Sequence, residues 1–315
     1  MKKHLTIGIP TFNRDSYLDR QLAWLSQAIS GLEDEVEIIV SDNASTDLTQ
    51  DVIKRWKPCF THTTFRVERQ KRNIGAIRNI AYCISAAEGE HVWIISDDDQ
   101  IDTETLRYVL QIIKIQPSLG LLILNYTTYN QRTGETIPER WFNFDHSIDN
   151  LDGKTMFEAC MQVKKAGGVA LTTALVYRTD LAQKSLKEWP AGVRNLGYQI
   201  YISAYCAMYG NMKVTAEPHL QFTKGGQFWT ANHLLYFRFR FAEMPELYVK
   251  LAKLGYSKSV CKNLALAQTQ ELFSGYPLRR LRTYLKESLG VPYTIAVIPI
   301  RHLAALLWFF FSTSL

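Results

Sequence analysis

The absences in this chain of 315 residues exclude several classes of protein. Its five cysteines, Cys59, Cys83, Cys160, Cys206 and Cys261, are odd in number and widely spaced, with no CxxC pair. Neither a structural zinc site nor a disulfide framework is indicated, and reduced thiols are the expectation. Basic residues do not cluster. The net charge of +6 is modest and Lys and Arg are dispersed through the first half, unlike the concentrated patch of a nucleic-acid binder, so no nucleic-acid partner is expected. The N-terminal stretch MKKHLTIGIPTFNR carries two lysines before an apolar run that Gly8 and Pro10 cut short. That run is too brief for a signal-peptide core, and a cytoplasmic location is the expectation. Internal repeats and low-complexity linkers are also absent. Pro10–Arg14 contains no glycine, so the loop after the first apolar run is not a glycine-rich triphosphate loop.

What is present is a regular alternation. The 47% hydrophobic content is ordinary for a globular chain, enough for one large domain or two small ones. Leu5–Ile9, Val36–Val40, Phe65–Gln70, Val92–Ile95 and Gly120–Leu124 read as short buried strands. Helical spacing falls between them, with Leu18, Leu22, Leu25 and Ile29 in the first helix and further helices over about 48–56, 75–87 and 104–115. Such alternation predicts an α/β fold, a Rossmann-like, mostly parallel sheet with flanking helices. The pattern fails from about Asn130 to Lys154, where polar, aromatic and turn residues dominate. Gly167–Tyr177 reads as a strand returning to the sheet, Tyr198–Tyr209 as a buried helix, and the segment after Gln221 as helical. The expected organisation is a catalytic domain over 1–230 and a helical C-terminal region over 231–315.

Four strand ends deliver polar groups: Pro10-Thr11-Phe12-Asn13-Arg14, Asp42-Asn43-Ala44-Ser45-Thr46-Asp47, Arg72–Asn79 and the triple carboxylate Asp97-Asp98-Asp99. In a parallel sheet these loops share one edge and can line one crevice. Three adjacent like charges repel, which makes sense if a cation neutralises them. Hard oxygen ligands suit Mn2+ or Mg2+, held by one or two carboxylates plus substrate phosphates. The bland alternative is an acidic turn that starts the next helix. Asp42 can accept an N–H from a pyrimidine ring, Gly75 allows close backbone approach to a ligand, and Arg78 offers a fork suited to phosphate. Taken singly, Asp42-Asn43 is equally a plain turn, and Asn73-Ile74-Gly75 a helix start.

In order and interval, IGIPTFNR, VSDNASTD, RNIGAIRN and ISDDD resemble the signature of the family 2 glycosyltransferases, over roughly residues 4–125 and more thinly to about 230. The resemblance implies a GT-A fold, a nucleotide-sugar donor held through an Asp-x-Asp motif with Mn2+ or Mg2+, and mostly inverting transfer of the sugar to a hydroxyl. It implies donor contacts at Pro10, Thr11, Asn13, Arg14, Asp42, Asn73, Gly75, Arg78, Asp97 and Asp98. Asp99 would be the direct metal ligand with Asp97 the other outer residue of the motif, and Asp98 would face the ribose or the sugar. Lys224 falls where many members place a basic loop over the diphosphate, though a solvated surface lysine is an equal reading. Asp42 favours UDP or dTDP donors, although a guanine N–H serves too. The family points to a glycan or lipid-linked acceptor in bacterial polysaccharide or O-antigen assembly.

One departure concerns the general base. Family members place an Asp or Glu after the strand that corresponds to Gly167–Tyr177, whereas here the position holds Tyr198 or Gln199. A tyrosine with an ordinary pKa near 10 is a poor base at neutral pH. The remaining candidates are Glu188, Asp145 or a carboxylate on another loop, and a degenerate, non-catalytic nucleotide-sugar or glycan binder is the alternative function. Aromatics over Trp141–Phe144 and Phe228–Phe241 suit the acceptor site or, as commonly, the core. In the tail, a basic stretch (Arg279, Arg280, Arg282, Lys286) precedes an apolar one in which Arg301, His302, Pro292 and Pro299 oppose a membrane span. It suits a segment lying on the inner face of the membrane or, equally, a helix docked on the catalytic domain or on another subunit of a homo-oligomer.

Overall fold

The structure is a computed structural model, and it describes residues 3–150, 152–163, 168–224, 233–273 and 292–311. Ten strands form one mixed sheet: β1 (Leu5–Thr11), β2 (Val36–Asp42), β3 (Thr64–Arg69), β4 (His91–Ile94), β5 (Gln100–Ile101), β6 (Leu119–Asn130), β7 (Glu135–Ile137), β8 (Ile148–Asn150), β9 (Leu175–Arg178) and β10 (Asn211–Lys224). The main order is β3-β2-β1-β4-β9-β6-β10-β5. Strands β3, β2, β1 and β4 pair in parallel, as do β6 and β10, while β9 lies antiparallel between β4 and β6. Helices α1 (Asp15–Ala28), α2 (Thr49–Trp56), α3 (Ala76–Ala86), α4 (Thr105–Ile115), α5 (Gly153–Gln162), α6 (Thr179–Glu188) and α7 (Tyr198–Tyr209) cover the sheet.

Strands β1, β2 and β4 are buried on both faces, so they are apolar on consecutive rather than alternate positions. In β4 and just beyond it, Trp93 and Ile95 join a core with Leu5, Ile7, Ile9 and the inward residues of α1 and α4. Val92 and Ile94 point the other way, into a core with Ile84, Leu121, Tyr177 and α7. Gly8 permits the tight seat of α3 on β1, since a Cβ there would stand 2.7 Å from Ile94 Cδ1 and 2.9 Å from Cys83 Cβ.

Two expectations need correction. Of the expected Gly167–Tyr177 strand only Leu175–Tyr177 is extended, within a strand that runs on to Arg178, and Thr172–Ala174 forms a 3-10 turn instead. The turn aims the Thr173 carbonyl at Trp93 Nε1, 2.7 Å away, and its hydroxyl at the Ser96 amide, 3.0 Å away. Gly167 itself lies outside the described residues. Strand β10 was not anticipated, and it runs to Lys224, past Gln221 where helix was expected. Its alternation is hidden by Pro218, where the pairing with β6 shifts register because proline has no N–H for the ladder.

After β10 the described chain is helical, over His233–Arg238, Met244–Leu254, Lys258–Phe273 and Pro292–Phe311, with a π-helical turn at Phe239–Glu243. Met244, Leu247, Tyr248 and Leu251 enter the same core as α7, so the helix Met244–Leu254 packs against α7.

Candidate active site

The strand order reverses between β1 and β4, and in open α/β sheets ligands bind beyond the carboxyl ends of the strands at such a switch point. Thr11 closes β1, and its Oγ1 donates to Asp97 Oδ2 at 2.9 Å. Arg14, at the start of α1, donates through Nη1 to Asp97 Oδ1 at 2.9 Å and to Asp98 Oδ2 at 2.7 Å. On the far side, Thr223 near the end of β10 gives its amide to Asp99 Oδ1 at 3.2 Å and its hydroxyl to the Asp98 carbonyl at 2.8 Å. Thr173 donates its hydroxyl to Asp99 Oδ2. The three carboxylates are thus held from β1, α1, the 3-10 turn before β9, and β10.

Asp97 and Asp99 are 4% and 6% exposed. Burial pushes Asp97 up to about 6, against the pull of Arg14, and burial with the Asp98 charge pushes Asp99 up to about 7. Burial alone would weaken the charge on Arg14, but Asp97 and Asp98 raise its pKa well above the ordinary value. One guanidinium therefore faces two of the three carboxylates, and the excess negative charge suits a further cation.

The donor set is hard oxygen, which fits Mn2+ or Mg2+. Among the described residues no group of three or more His, Cys, Asp or Glu side chains is arranged to hold a metal ion alone. Asp97 and Asp99 fit a partial shell, whose remaining positions phosphate oxygens and water would fill. Their oxygens accept protein hydrogen bonds, and each carboxylate oxygen has a second lone pair.

The second and third loops are stitched to the first. Asn13, at φ +51°, takes the Thr46 amide on Oδ1 at 2.7 Å and gives its own amide to Ser45 Oγ at 2.9 Å. Asn43 takes the Ile74 amide at 2.8 Å and donates to Asn73 Oδ1 at 2.9 Å. Asn73 Oδ1 also takes the Gly75 amide at 2.8 Å. Gly75 caps α3 at φ +89°, with nothing within 4 Å of where a Cβ would stand. The structure therefore leaves open room beside this backbone. Arg78 is exposed one turn on, its Nη1 on the Ile74 carbonyl at 3.1 Å. Asp42 ends β2 fully buried, accepting the Ser45 amide at 2.9 Å and Gln50 Nε2 at 2.5 Å. Pro10 is half-buried between β2 and β4, and exposed Lys224 follows Thr223 directly.

The base candidates fare differently. Tyr198 is 1% exposed, donates its hydroxyl to the Trp189 carbonyl at 2.8 Å, and burial raises its pKa further above the usual 10. It serves packing and is not placed to accept a proton. Glu188 is exposed at the end of α6, with Tyr201 and Tyr205 as its electrostatic neighbours. Asp145 is exposed in the loop before β8. A carboxylate absent from the expectations, Glu243, accepts the Leu196 amide at 2.9 Å just before α7 and pairs with Arg238 Nε at 2.6 Å. At 2% exposed with both oxygens engaged, it braces that loop.

Among the aromatics, Trp141 stacks on Tyr126 at 5.2 Å, and the Asp99 charge acts on Tyr126. Phe142, Phe237 and Phe241 are buried core, so the acceptor expectation does not hold for them. The residues 228–232 lie outside the described residues.

Residues 6–165, just over half of the chain, match the model of the family described as glycosyl transferase family 2. Abequosyltransferase RfbV of Salmonella typhimurium is 28% identical over 172 residues, 52% of this chain and 49% of RfbV. The poly(ribitol-phosphate) beta-N-acetylglucosaminyltransferase TarS of Staphylococcus aureus is 30% identical over 118 residues, 38% of this chain and 20% of TarS. The matches span about half the length of RfbV and a fifth of TarS. In three dimensions the chain resembles S. aureus TarS 1–349 in complex with UDP-GlcNAc, with a TM-score of 0.62 at 18% identity, over 98% of this chain and 81% of that one. It also resembles the mannosyltransferase PcManGT of Pyrobaculum calidifontis in complex with GDP-Man and Mn2+, with a TM-score of 0.53 at 14% identity, over 100% of this chain and 89% of that one. The fold is that of the GT-A glycosyltransferases. The chain belongs to glycosyl transferase family 2.

Proposed function

We propose that the protein transfers a sugar from a nucleotide-diphosphate donor to a hydroxyl of a glycan or lipid-linked acceptor in the assembly of a bacterial cell-surface polysaccharide. The observation that carries this reading is the convergence of Thr11, Arg14, Thr173 and Thr223, from three separate segments, on Asp97, Asp98 and Asp99 at the sheet's switch point. UDP and dTDP are the favoured nucleotides, since the TarS structure holds UDP-GlcNAc and a carboxylate at Asp42 accepts a pyrimidine N–H. For that contact the Gln50 amide must swing off Asp42.

In this reading Asp99 and Asp97 hold Mn2+ or Mg2+, and the ion, when bound, stabilises charge on the departing diphosphate. Arg14 keeps the three carboxylates ordered. Gly75 leaves the backbone open to the donor, Arg78 and Lys224 supply positive charge near the phosphates, and Asn13 and Asn73 fix the loop shapes. Crevice geometry aligns the acceptor hydroxyl for in-line, inverting attack. Trp141 offers an aromatic face to the acceptor. Glu188 and Asp145 are the remaining candidates for the base.

The absence of a carboxylate at Tyr198 and Gln199 favours one competing reading, a binder of nucleotide sugar or glycan without turnover. Nucleotide release separates the two. Incubation with UDP-sugars, Mn2+ and membrane-lipid or glycan acceptors gives acceptor-dependent release of nucleoside diphosphate from a transferase. Donor binding without release for every acceptor establishes the binder.

A further inference from the structure

The terminal helix, Pro292–Phe311, is amphipathic in the reverse sense. In a helix on a water-soluble surface the polar face looks outward and the apolar face is buried. Here His302 is buried, and Arg301, its side chain 39% exposed, turns to a neighbouring helix. Arg301 pairs with Glu246 of the Met244–Leu254 helix. His302 uses Nδ1 on the Phe241 carbonyl at 3.1 Å and Nε2 on Thr269 Oγ1 at 2.8 Å. Ala305 and Phe309 are buried beside them.

From Ile300 to Phe311 the outer face is mainly apolar. Ile300 (62%), Leu303 (56%), Leu307 (45%), Phe310 (55%) and Phe311 (77%) are exposed, with the small Ala304 among them. Their spacing of three and four residues puts them on one stripe. Arg301 and His302, two of the residues that oppose a membrane span in the sequence, make their contacts away from that stripe.

Cations rim the stripe. Lys253 and Lys258 stand 5.6 Å from the Trp308 ring, and Lys262 stands 3.9 Å from the Phe310 ring. The acidic neighbour Glu246 is engaged by Arg301. A two-fold contact between copies would set the same rim against itself and bring like charges together. An anionic phospholipid surface complements both features, with acyl chains for the stripe and phosphates for the lysines. No described helix is long and apolar enough to cross a membrane, so the contact is in the interfacial plane.

We propose that Ile300, Leu303, Leu307, Phe310 and Phe311 seat the protein on an anionic lipid surface, with Lys253, Lys258 and Lys262 on the lipid phosphates. The proposal does not depend on the donor chemistry. Its test is co-sedimentation of the full chain with vesicles of phosphatidylcholine alone and of equal parts phosphatidylcholine and phosphatidylglycerol. Wild type is expected to pellet with the anionic vesicles and to be released by salt. The variant Leu303→Ser/Leu307→Ser/Phe310→Ser changes only exposed positions and is expected to keep the wild-type circular dichroism and melting temperature while losing about tenfold in vesicle affinity. The variant Lys253→Gln/Lys258→Gln/Lys262→Gln is expected to lose the preference for anionic over neutral vesicles. The proposal is overturned if wild type stays in the supernatant with anionic vesicles, or if the serine variant pellets as wild type does. It is overturned equally if sedimentation equilibrium without lipid shows an oligomer that the serine substitutions dissociate while vesicles bind neither protein.

Discussion

Thr11 and Asp97 meet across the point where the strand order reverses, the Thr11 hydroxyl donating to Asp97 Oδ2 at 2.9 Å. This bond ties the ends of β1 and β4 together and fixes where the carboxylate row begins. Arg14 extends the tie to Asp98, so the first loop of the chain holds the acidic loop more than 80 residues later.

The Arg14 contacts set a stability expectation. Removing one partner of a fully buried ion pair costs about 3–5 kcal/mol, and the Arg14 side chain is 30% exposed. Arg14→Gln is therefore expected to destabilise the fold by about 1–3 kcal/mol in urea denaturation, with screening reducing the full value. A loss smaller than the error of the measurement would show that Asp97 and Asp98 are ordered without it.

His91 makes stability depend on pH. It is 2% exposed, one ring nitrogen meets the Leu119 carbonyl at 3.0 Å, and the other, Nδ1, has no hydrogen-bond partner among the described residues. Burial holds its pKa below the usual 6.5. Between the folded value and about 6.5 the unfolded chain binds the proton and the folded chain does not. The His91 contribution is thus full above about pH 6.5 and falls as the pH drops through that window. His219 and His302, also lowered by burial, act with the same sign. Asp97 and Asp99, raised to about 6 and 7, gain stability on acidification over the same range. The His91 contribution is therefore read as a difference: from pH 7 downward His91→Gln should lose less stability, or gain more, than wild type. An unchanged slope in the variant would remove His91 from the account.

Trp141 and its neighbour Phe142 separate binding from packing. Phe142 is fully buried, and Phe142→Ala is expected to cost about 3–5 kcal/mol of stability. Trp141 is half-buried on Tyr126, and Trp141→Ala is expected to raise the acceptor KM several-fold while leaving the donor Kd near wild type. Unchanged acceptor kinetics would make Trp141 a packing residue only.

The first half of the fold was legible because β1, β2 and β4 are buried on both faces and read as apolar runs, with Asp42 and Asp97–Asp99 at or just past their ends. The second half was not. Strand β10 carries Pro218 and a register shift, which erase the period of two. The turn at Thr173 hides in an apolar run because its bend exists to reach Trp93, Ser96 and Asp99, contacts set by the tertiary fold. Thr173 and Thr223, both serving the carboxylates, carry no local signal, since threonine in a strand is ordinary. Tyr198 was placed correctly on a buried helix, and that burial is what removes it as a base.

The central claim is that Asp97–Asp99 form the metal-assisted donor site of a sugar transferase. Thermal unfolding of wild type and Asp99→Asn, with UDP, dTDP and GDP each with and without Mn2+, tests it most directly, because a ligand bound only to the native state raises the melting temperature. The account predicts a shift with UDP or dTDP that needs Mn2+ and disappears in Asp99→Asn, measured from the variant's own baseline. No shift with any nucleotide, or the same shift in Asp99→Asn, would contradict it.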